Sequence, residues 1–318
     1  MEEITEMKHR TDSGFNADAI DHTTAADLAK VGSDKWTRYP GCIGAFIAEM
    51  DYGLAPCIQE AIDNACDHCK LGYIPDPWKQ RVAEACADWQ RRHYGWNVDP
   101  SIIRVVPDVL EAYEIFLREL VGAGNSVIVP TPAYMPFLSV PKLYDVNVIE
   151  IEMLQSGDAK TGEAQWLFDF DAIERAFAAG CHAFVLCNPH NPIGKVLTLE
   201  EELRLSELAA QYDVRIFNDE IHAPFVFEGK HIPFPTISEQ AALQSMTATS
   251  ASKSFNIPGT KCAQVLLTNP KDRDMWAVKA EWSEHQTATI GAIATTAAYH
   301  AGAPWVPDAL AYVRRNLA

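Results

Sequence analysis

From about residue 100 onward, short apolar runs alternate with stretches of helical periodicity, and each run ends in turn or polar residues. The runs lie at 126–129, 147–151, 183–186 and 214–217, and continue near Met246-Thr247 and at 263–267. Between several of them sit helix-length patterns at 109–121, 170–178 and 199–211. Strand followed by helix followed by strand requires a crossover each time. The crossovers cover both faces of a mostly parallel sheet, so its strands become nearly continuous apolar runs. The pattern predicts an α/β fold, a three-layer αβα arrangement around a mostly parallel sheet. Ahead of it, apolar residues recur at helical spacing over 54–70 and again over 78–94, with the loop Gly72-Tyr73-Ile74-Pro75 between them. The first 40 residues are polar and weakly patterned except at Trp36 and Tyr39, and read as an arm that lies on something else. A length of 318 residues allows roughly two domains.

Composition narrows the function classes. With 26 Lys and Arg against 43 Asp and Glu, the formal net charge is −17. Such a surface repels phosphate backbones and anionic headgroups, which argues against nucleic acid and membrane as partners. No run approaches the ~18 apolar residues of a membrane span, and the start MEEITEMKHR has no apolar leader core. The eight cysteines follow no regular framework and read as reduced core thiols, hence a cytoplasmic setting. The one CxxC, Cys66-Asp67-His68-Cys69, lacks a second ligand pair, so no metal site is expected.

In open α/β sheets the chemistry sits beyond the carboxyl ends of the strands, and here those segments are dense in functional groups. Pro130-Thr131-Pro132-Ala133-Tyr134 offers an aromatic ring and Asn188-Pro189-His190-Asn191-Pro192 an amide. Asn218-Asp219-Glu220-Ile221-His222 offers a carboxylate, and Thr249-Ser250-Ala251-Ser252-Lys253 an amine. No G-x-G-x-x-G or Walker A pattern is present, which disfavours dinucleotide and nucleoside triphosphate sites. Lys253, set among small hydroxyl and apolar residues, can have a depressed pKa and form a Schiff base with a carbonyl. The hydroxyls and Lys261 would suit an anionic group beside that amine. Asp219 could pair with a protonated ring nitrogen, cap a helix or ligate a metal. Asn191 could contact a ligand or simply hold its turn, and Tyr134 could stack on a ligand or fill the core.

Taken together, SASKSFNIPGTK around Lys253, NPHNPIG around Asn191 and NDEIH around Asp219 resemble the fold-type I pyridoxal-phosphate enzymes of the class I/II aminotransferase group. The similarity is greatest to the MalY/PatB-type cystathionine β-lyases. It is carried by Asp219-Glu220-Ile221-His222 and Lys253-Ser254-Phe255-Asn256-Ile257, with support from DKWTRYP, AEMDY and PTPAYMPF. It runs from about residue 30 to the end, with the three motifs in family order.

The resemblance implies a pyridoxal 5'-phosphate enzyme that cleaves the C–S bond of a small sulfur amino acid. An aminotransferase and a catalytically impaired binding or regulatory copy are the rival readings. Lys253 would hold the cofactor covalently and act as base on the substrate Cα proton. Asp219 would pair with the pyridinium nitrogen, Tyr134 stack on the ring, and Asn191 bond the ring oxygen, with His222 nearby. Ser250, Ser252, Lys261 and the backbone N–H groups of Val109 and Leu110 would surround the phosphate. Tyr73 would reach the phosphate of a neighbouring subunit, implying a homodimer. Two departures stand out: Asp108 where many relatives have glycine, and Lys261 where aminotransferases usually have arginine. The implied domains are an arm with part of a small domain (1–50), a cofactor-binding large domain (51–285), and a connecting helix with the start of an incomplete small domain (286–318). The segment carrying the arginine that grips the substrate carboxylate is expected beyond this chain. Arg314 and Arg315 fall in the helix before it.

Overall fold

The computed structural model describes residues 13–157 and 164–317. The expected residues 1–12 of the arm lie outside that range. Seven strands form the main sheet: β1 (Ile103–Val106), β2 (Ser126–Thr131), β3 (Asn147–Glu152), β6 (Ala183–Cys187), β7 (Arg215–Asp219), β8 (Ser245–Thr249) and β9 (Ala263–Leu266). The remaining two, β4 (Leu154–Ser156) and β5 (Gln165–Leu167), make a separate antiparallel hairpin. The sheet order is β1-β9-β8-β7-β6-β2-β3. All neighbours run parallel except β9, which is antiparallel to both β1 and β8.

Period-two side-chain alternation divides each strand between two cores. Val127, Val129, Ala183, Val185, Cys187 and Phe217 pack on one face with Tyr113 and Phe116 of the helix Val109–Phe116. Ile128, Phe184, Leu186 and Ile216 pack on the other, against the helices Phe170–Ala178 and Leu199–Gln211. Residues of β6 and β8 are buried throughout, as the apolar runs required. The result is the predicted three-layer arrangement with a mostly parallel sheet.

The helices begin where the sequence supplies caps. Asp169 accepts from Ala172 N–H, and Thr198 forms a reciprocal capping box with Glu201. A third core joins the helices Pro56–Asp67, Asp76–Tyr94, Thr289–Ala301 and Trp305–Leu317, with Trp89, Phe255, Tyr299 and Trp305 at its centre. Thr289–Ala301 is rich in Ala, Thr and Gly, and its small side chains permit a close approach to the helices Pro56–Asp67 and Asp76–Tyr94. A Cβ on Gly291 would lie 2.0 Å from the carbonyl oxygen of Thr260, so only glycine fits there.

Four features differ from the sequence expectations. The predicted helix at 109–121 is α-helical to Phe116 and then widens into a π-helical turn, Leu117–Val121. Strand β1 and the β4–β5 hairpin have no long apolar run to announce them: β1 is four residues containing Arg104, and β4 is exposed throughout. The arm carries three short helices, Ala17–His22, Ala25–Val31 and Asp34–Thr37, and none buries a residue. Of the eight cysteines five are buried, but Cys42, Cys66 and Cys69 are exposed, so the core-thiol reading holds only in part. Cys66 is the penultimate residue of its helix, and Cys69 turns away in the left-handed region at φ +52°. No helix among the described residues is long and apolar enough to cross a membrane.

Candidate active site

Parallel strands deliver their carboxyl ends to one edge of the sheet, and the order β8-β7-β6-β2 makes four such ends lateral neighbours. Asp219 pairs in register with Cys187 on one side and Ala248 on the other. Lys253, Asp219, Asn191 and Tyr134 therefore issue from adjacent strand ends within a span on the order of 15 Å. The antiparallel β9 adds to this edge from the opposite direction: its start, not its end, lies there, bringing Lys261 and Cys262 alongside. Strand β1 runs parallel to β8 through two reversals, so the helix Val109–Phe116 also starts at this edge.

Asp219 is 5% exposed, and its Oδ1 accepts from Ile221 N–H at 3.0 Å. Burial pushes its pKa up to about 7, opposed by that N–H and by the Lys253 ammonium. A buried carboxylate in that condition is stabilised by a buried proton donor or cation, and no described residue donates to Oδ2. Burial holds Lys253 below the usual lysine range, while Asp219 and Glu49 pull the other way. His222 is pushed down to about 4 by burial and by Lys253, so it is neutral at physiological pH. Burial also raises the Tyr134 phenol, reinforced by Asp219 and Asp108, and its ring stands edge-on to Phe137 at 5.6 Å. Asn191 opens the turn 191–194, which is closed by Gly194 N–H to His190 O and His190 N–H to Lys195 O, both at 2.7 Å. Asp219 caps no helix, since a turn follows it. No cluster of metal-ligating side chains occurs among the described residues.

The other half of the edge gathers groups that can donate hydrogen bonds or positive charge. Val109 and Leu110 open their helix, whose first N–H groups have no intrahelical acceptor and carry the positive end of the helix dipole. Ser250 is buried; its Oγ donates to Cys262 O at 2.8 Å and accepts from Ser252 N–H at 3.0 Å. Lys261 sits at φ +53°, with its Nζ 2.8 Å from Asp108 Oδ2. The donors fit pyridoxal phosphate. They comprise an amine for an aldehyde, a buried carboxylate for a ring N–H, an aromatic ring for stacking, and hydroxyl, backbone and ammonium groups for a phosphate.

Several contributors escape sequence reasoning. Asn256, in the left-handed region at φ +57°, accepts from Met50 N–H at 2.9 Å and donates to Met50 O at 2.6 Å. It thereby ties the arm to the turn that carries Lys253. Lys35 Nζ reaches Glu49 O and Asp51 Oδ2, both at 2.8 Å, and Trp36 Nε1 donates to Asp51 at 2.9 Å. The stretches DKWTRYP and AEMDY thus brace each other at the site mouth. Asn256→Gly keeps the backbone conformation but removes the clamp. It is expected to cost about 1–3 kcal/mol, seen as a lower Tm and faster proteolysis between residues 40 and 55; unchanged proteolysis would mean the arm is held by other contacts.

Behind Asp219, Glu220 Oε1 accepts from Asn218 Nδ2 at 2.7 Å and from Phe234 N–H at 2.9 Å, while Oε2 faces His231 Nε2 at 3.3 Å. Glu202 accepts from Asn188 Nδ2 at 2.7 Å and is pushed up to about 8 by burial and by Glu220. These groups look like surface charges in the sequence, because only the sheet order buries them together.

Tyr73 is not drawn into the cluster: it is 98% exposed on its loop. Arg315 pairs with Asp21, and Arg314 donates to Phe227 O. A cavity of about 590 Å³ lined by Asp76, Lys79, Arg104, Trp276 and Glu284 holds none of the expected site residues. Its charges pair with one another, Lys79 with Glu284 at 3.3 Å.

The sequence model of the aminotransferase class I and II family matches residues 47–308. The chain belongs to that family. It is 33% identical over 283 residues to the cystathionine beta-lyase of Corynebacterium glutamicum, covering 89% of this chain and 73% of the relative. Among solved structures, a candidate PLP-dependent beta-cystathionase from Corynebacterium diphtheriae superposes with a TM-score of 0.84 at 34% identity, covering 92% of this chain and 75% of that one. Cystalysin from Treponema denticola, which contains a pyridoxal 5'-phosphate cofactor, superposes with a TM-score of 0.82 at 26% identity and covers 91% and 74%. As a class I and II aminotransferase family member, the chain has the fold-type I sheet. The edge bearing Lys253 and Asp219 lies beyond the carboxyl ends of that sheet's parallel strands.

Proposed function

We propose that this protein is a pyridoxal-phosphate-dependent C–S β-lyase acting on cystathionine or related cysteine S-conjugates. One water is consumed, and the products are a thiol, pyruvate and ammonium. The observation that carries this is the buried Asp219 and the half-buried Lys253 on neighbouring strand ends, in a chain whose relatives include a cystathionine beta-lyase.

When bound, pyridoxal phosphate supplies an electron sink for a carbanion at the substrate Cα. The protein's share is binding, orientation and proton handling. Asp219 would accept the ring N–H and keep it protonated, which would relieve its own unfavourable burial. Lys253 Nζ would hold the cofactor's aldehyde carbon, and its amine, made less basic by burial, is the group placed to take the Cα proton. The thiol leaves from Cβ with the electron pair of the C–S bond and a proton. Tyr134 would cover one ring face and Asn191 would donate to the ring oxygen, with neutral His222 beside it. Val109 and Leu110 N–H, Ser250, Ser252 and Lys261 would hold the phosphate.

In the same reading two chains pair and Tyr73 completes the partner's phosphate site. Its 98% exposure on the loop before the helix Asp76–Tyr94, with Ile43 at 87% and Val31 at 79% on the arm, supports the reading that another copy covers these residues.

The reading is tested by incubating the protein with the cofactor, L-cystathionine and a 2-oxo acid. Equal amounts of thiol and pyruvate, with no new amino acid, are expected. Amino transfer without thiol release would identify an aminotransferase instead.

A further inference from the structure

Asp108 occupies the place where an anion is otherwise best held. It caps the helix Val109–Phe116, with Oδ1 accepting from Glu111 N–H at 2.9 Å. Its Oδ2 lies 2.8 Å from Lys261 Nζ. Both oxygens are thus committed to donors that a phosphate at this edge would seek: a first-turn N–H and the ammonium. The pair is partly open to solvent, with side chains 39% and 55% exposed, so an arriving anion can reach it without unfolding anything. The carboxylate also stands one residue before Val109, which opens the helix. Serine or asparagine would cap equally well without charge, so capping alone does not require a carboxylate.

We propose that Asp108 is an internal rival of the cofactor's phosphate. It neutralises Lys261 and places a negative charge beside the anion site, so that pyridoxal phosphate is held loosely and exchanges readily. The inference rests on the cofactor reading above and concerns specificity for the phosphate alone. Asp108 acts through Lys261 and the helix end, as a positioning residue.

Two ligands separate this from any general effect: pyridoxal 5'-phosphate and pyridoxal, which lacks the phosphate. The full chain is dialysed free of cofactor and titrated with each, following absorbance. Asp108→Asn keeps the cap and frees Lys261. It is expected to tighten pyridoxal phosphate on the order of ten-fold, with a steeper salt dependence and no change for pyridoxal. Lys261→Gln is expected to weaken the phosphate form, and in Asp108→Asn/Lys261→Gln most of the gain disappears. Unchanged or weaker binding of pyridoxal phosphate by a folded Asp108→Asn variant would overturn the proposal. Equal tightening of both ligands would also overturn it, because the effect would not act on the phosphate. Failure of the cofactor reading itself looks different: the unaltered protein would bind neither ligand, and Lys253→Ala would change nothing.

Discussion

Lys253→Ala is expected to lower thiol release from L-cystathionine by three or more orders of magnitude while leaving the Tm of the cofactor-free protein unchanged or slightly raised. The loss combines two functions of one amine. It removes the general base, worth typically 10²–10⁴-fold, and the covalent anchor that fixes the cofactor's ring over the strand ends. Stability should not suffer, because the Lys253 ammonium is held below its ordinary pKa mainly by burial. Removing it takes away an unfavourable charge rather than a supporting contact. Arginine at the same place keeps a charge but cannot form the covalent bond, and should be equally inactive. Activity of Lys253→Ala within ten-fold of the unaltered protein would mean that another group takes the proton.

Asp219→Asn should separate function from stability. Turnover is expected to fall by about 10²–10³, the usual loss when one preorganised electrostatic partner is removed. The cofactor-free variant should nevertheless be more stable, in a pH-dependent way. The carboxyl has a pKa of about 7 in the fold against an ordinary 3.8. Below 3.8 both folded and unfolded chains hold the proton, and the group has no effect. Between 3.8 and about 7 the unfolded chain ionises first, so folding is increasingly opposed as pH rises. Above 7 the full penalty stands, at most about 3–4 kcal/mol by the size of the shift. Asparagine keeps an oxygen for Ile221 N–H, so the variant's advantage should appear as pH rises from 4 to 7 and then level off. Bound cofactor should abolish it, since a ring N–H supplies what the buried oxygen lacks. A stability gain of equal size at pH 4 and pH 8 would contradict this electrostatic account.

How far the sequence could be read depends on the scale of the interaction. The run at 183–186 is a strand with one residue added and the run at 214–217 a strand over 215–219, because a doubly covered parallel strand must be apolar on both faces. Asp219 is visible because it closes such a run, and Lys253 because it follows a strand end among small hydroxyl residues. Asn256 was visible as part of a motif, but its clamp on Met50 was not: the partners lie 206 residues apart, and nothing local marks the pairing. Glu202, Glu220 and His231 were illegible for a related reason, since their burial follows from the order β8-β7-β6. Strand β1 was missed because Arg104 interrupts a short run. The antiparallel direction of β9 could not be read from its composition, yet it delivers Lys261 to the site. Asp108 stood out as a charge at an anion-binding turn. Its engagement with both Glu111 N–H and Lys261 became apparent only in three dimensions.

The most direct test of the central claim is to equilibrate the full chain with pyridoxal phosphate, reduce it with borohydride, digest it and map the modified peptide. The account predicts a stoichiometric cofactor adduct on Lys253 and nowhere else, abolished by Lys253→Ala. An adduct on Lys261 or Lys35, or none at all under conditions that saturate the protein with cofactor, would contradict it.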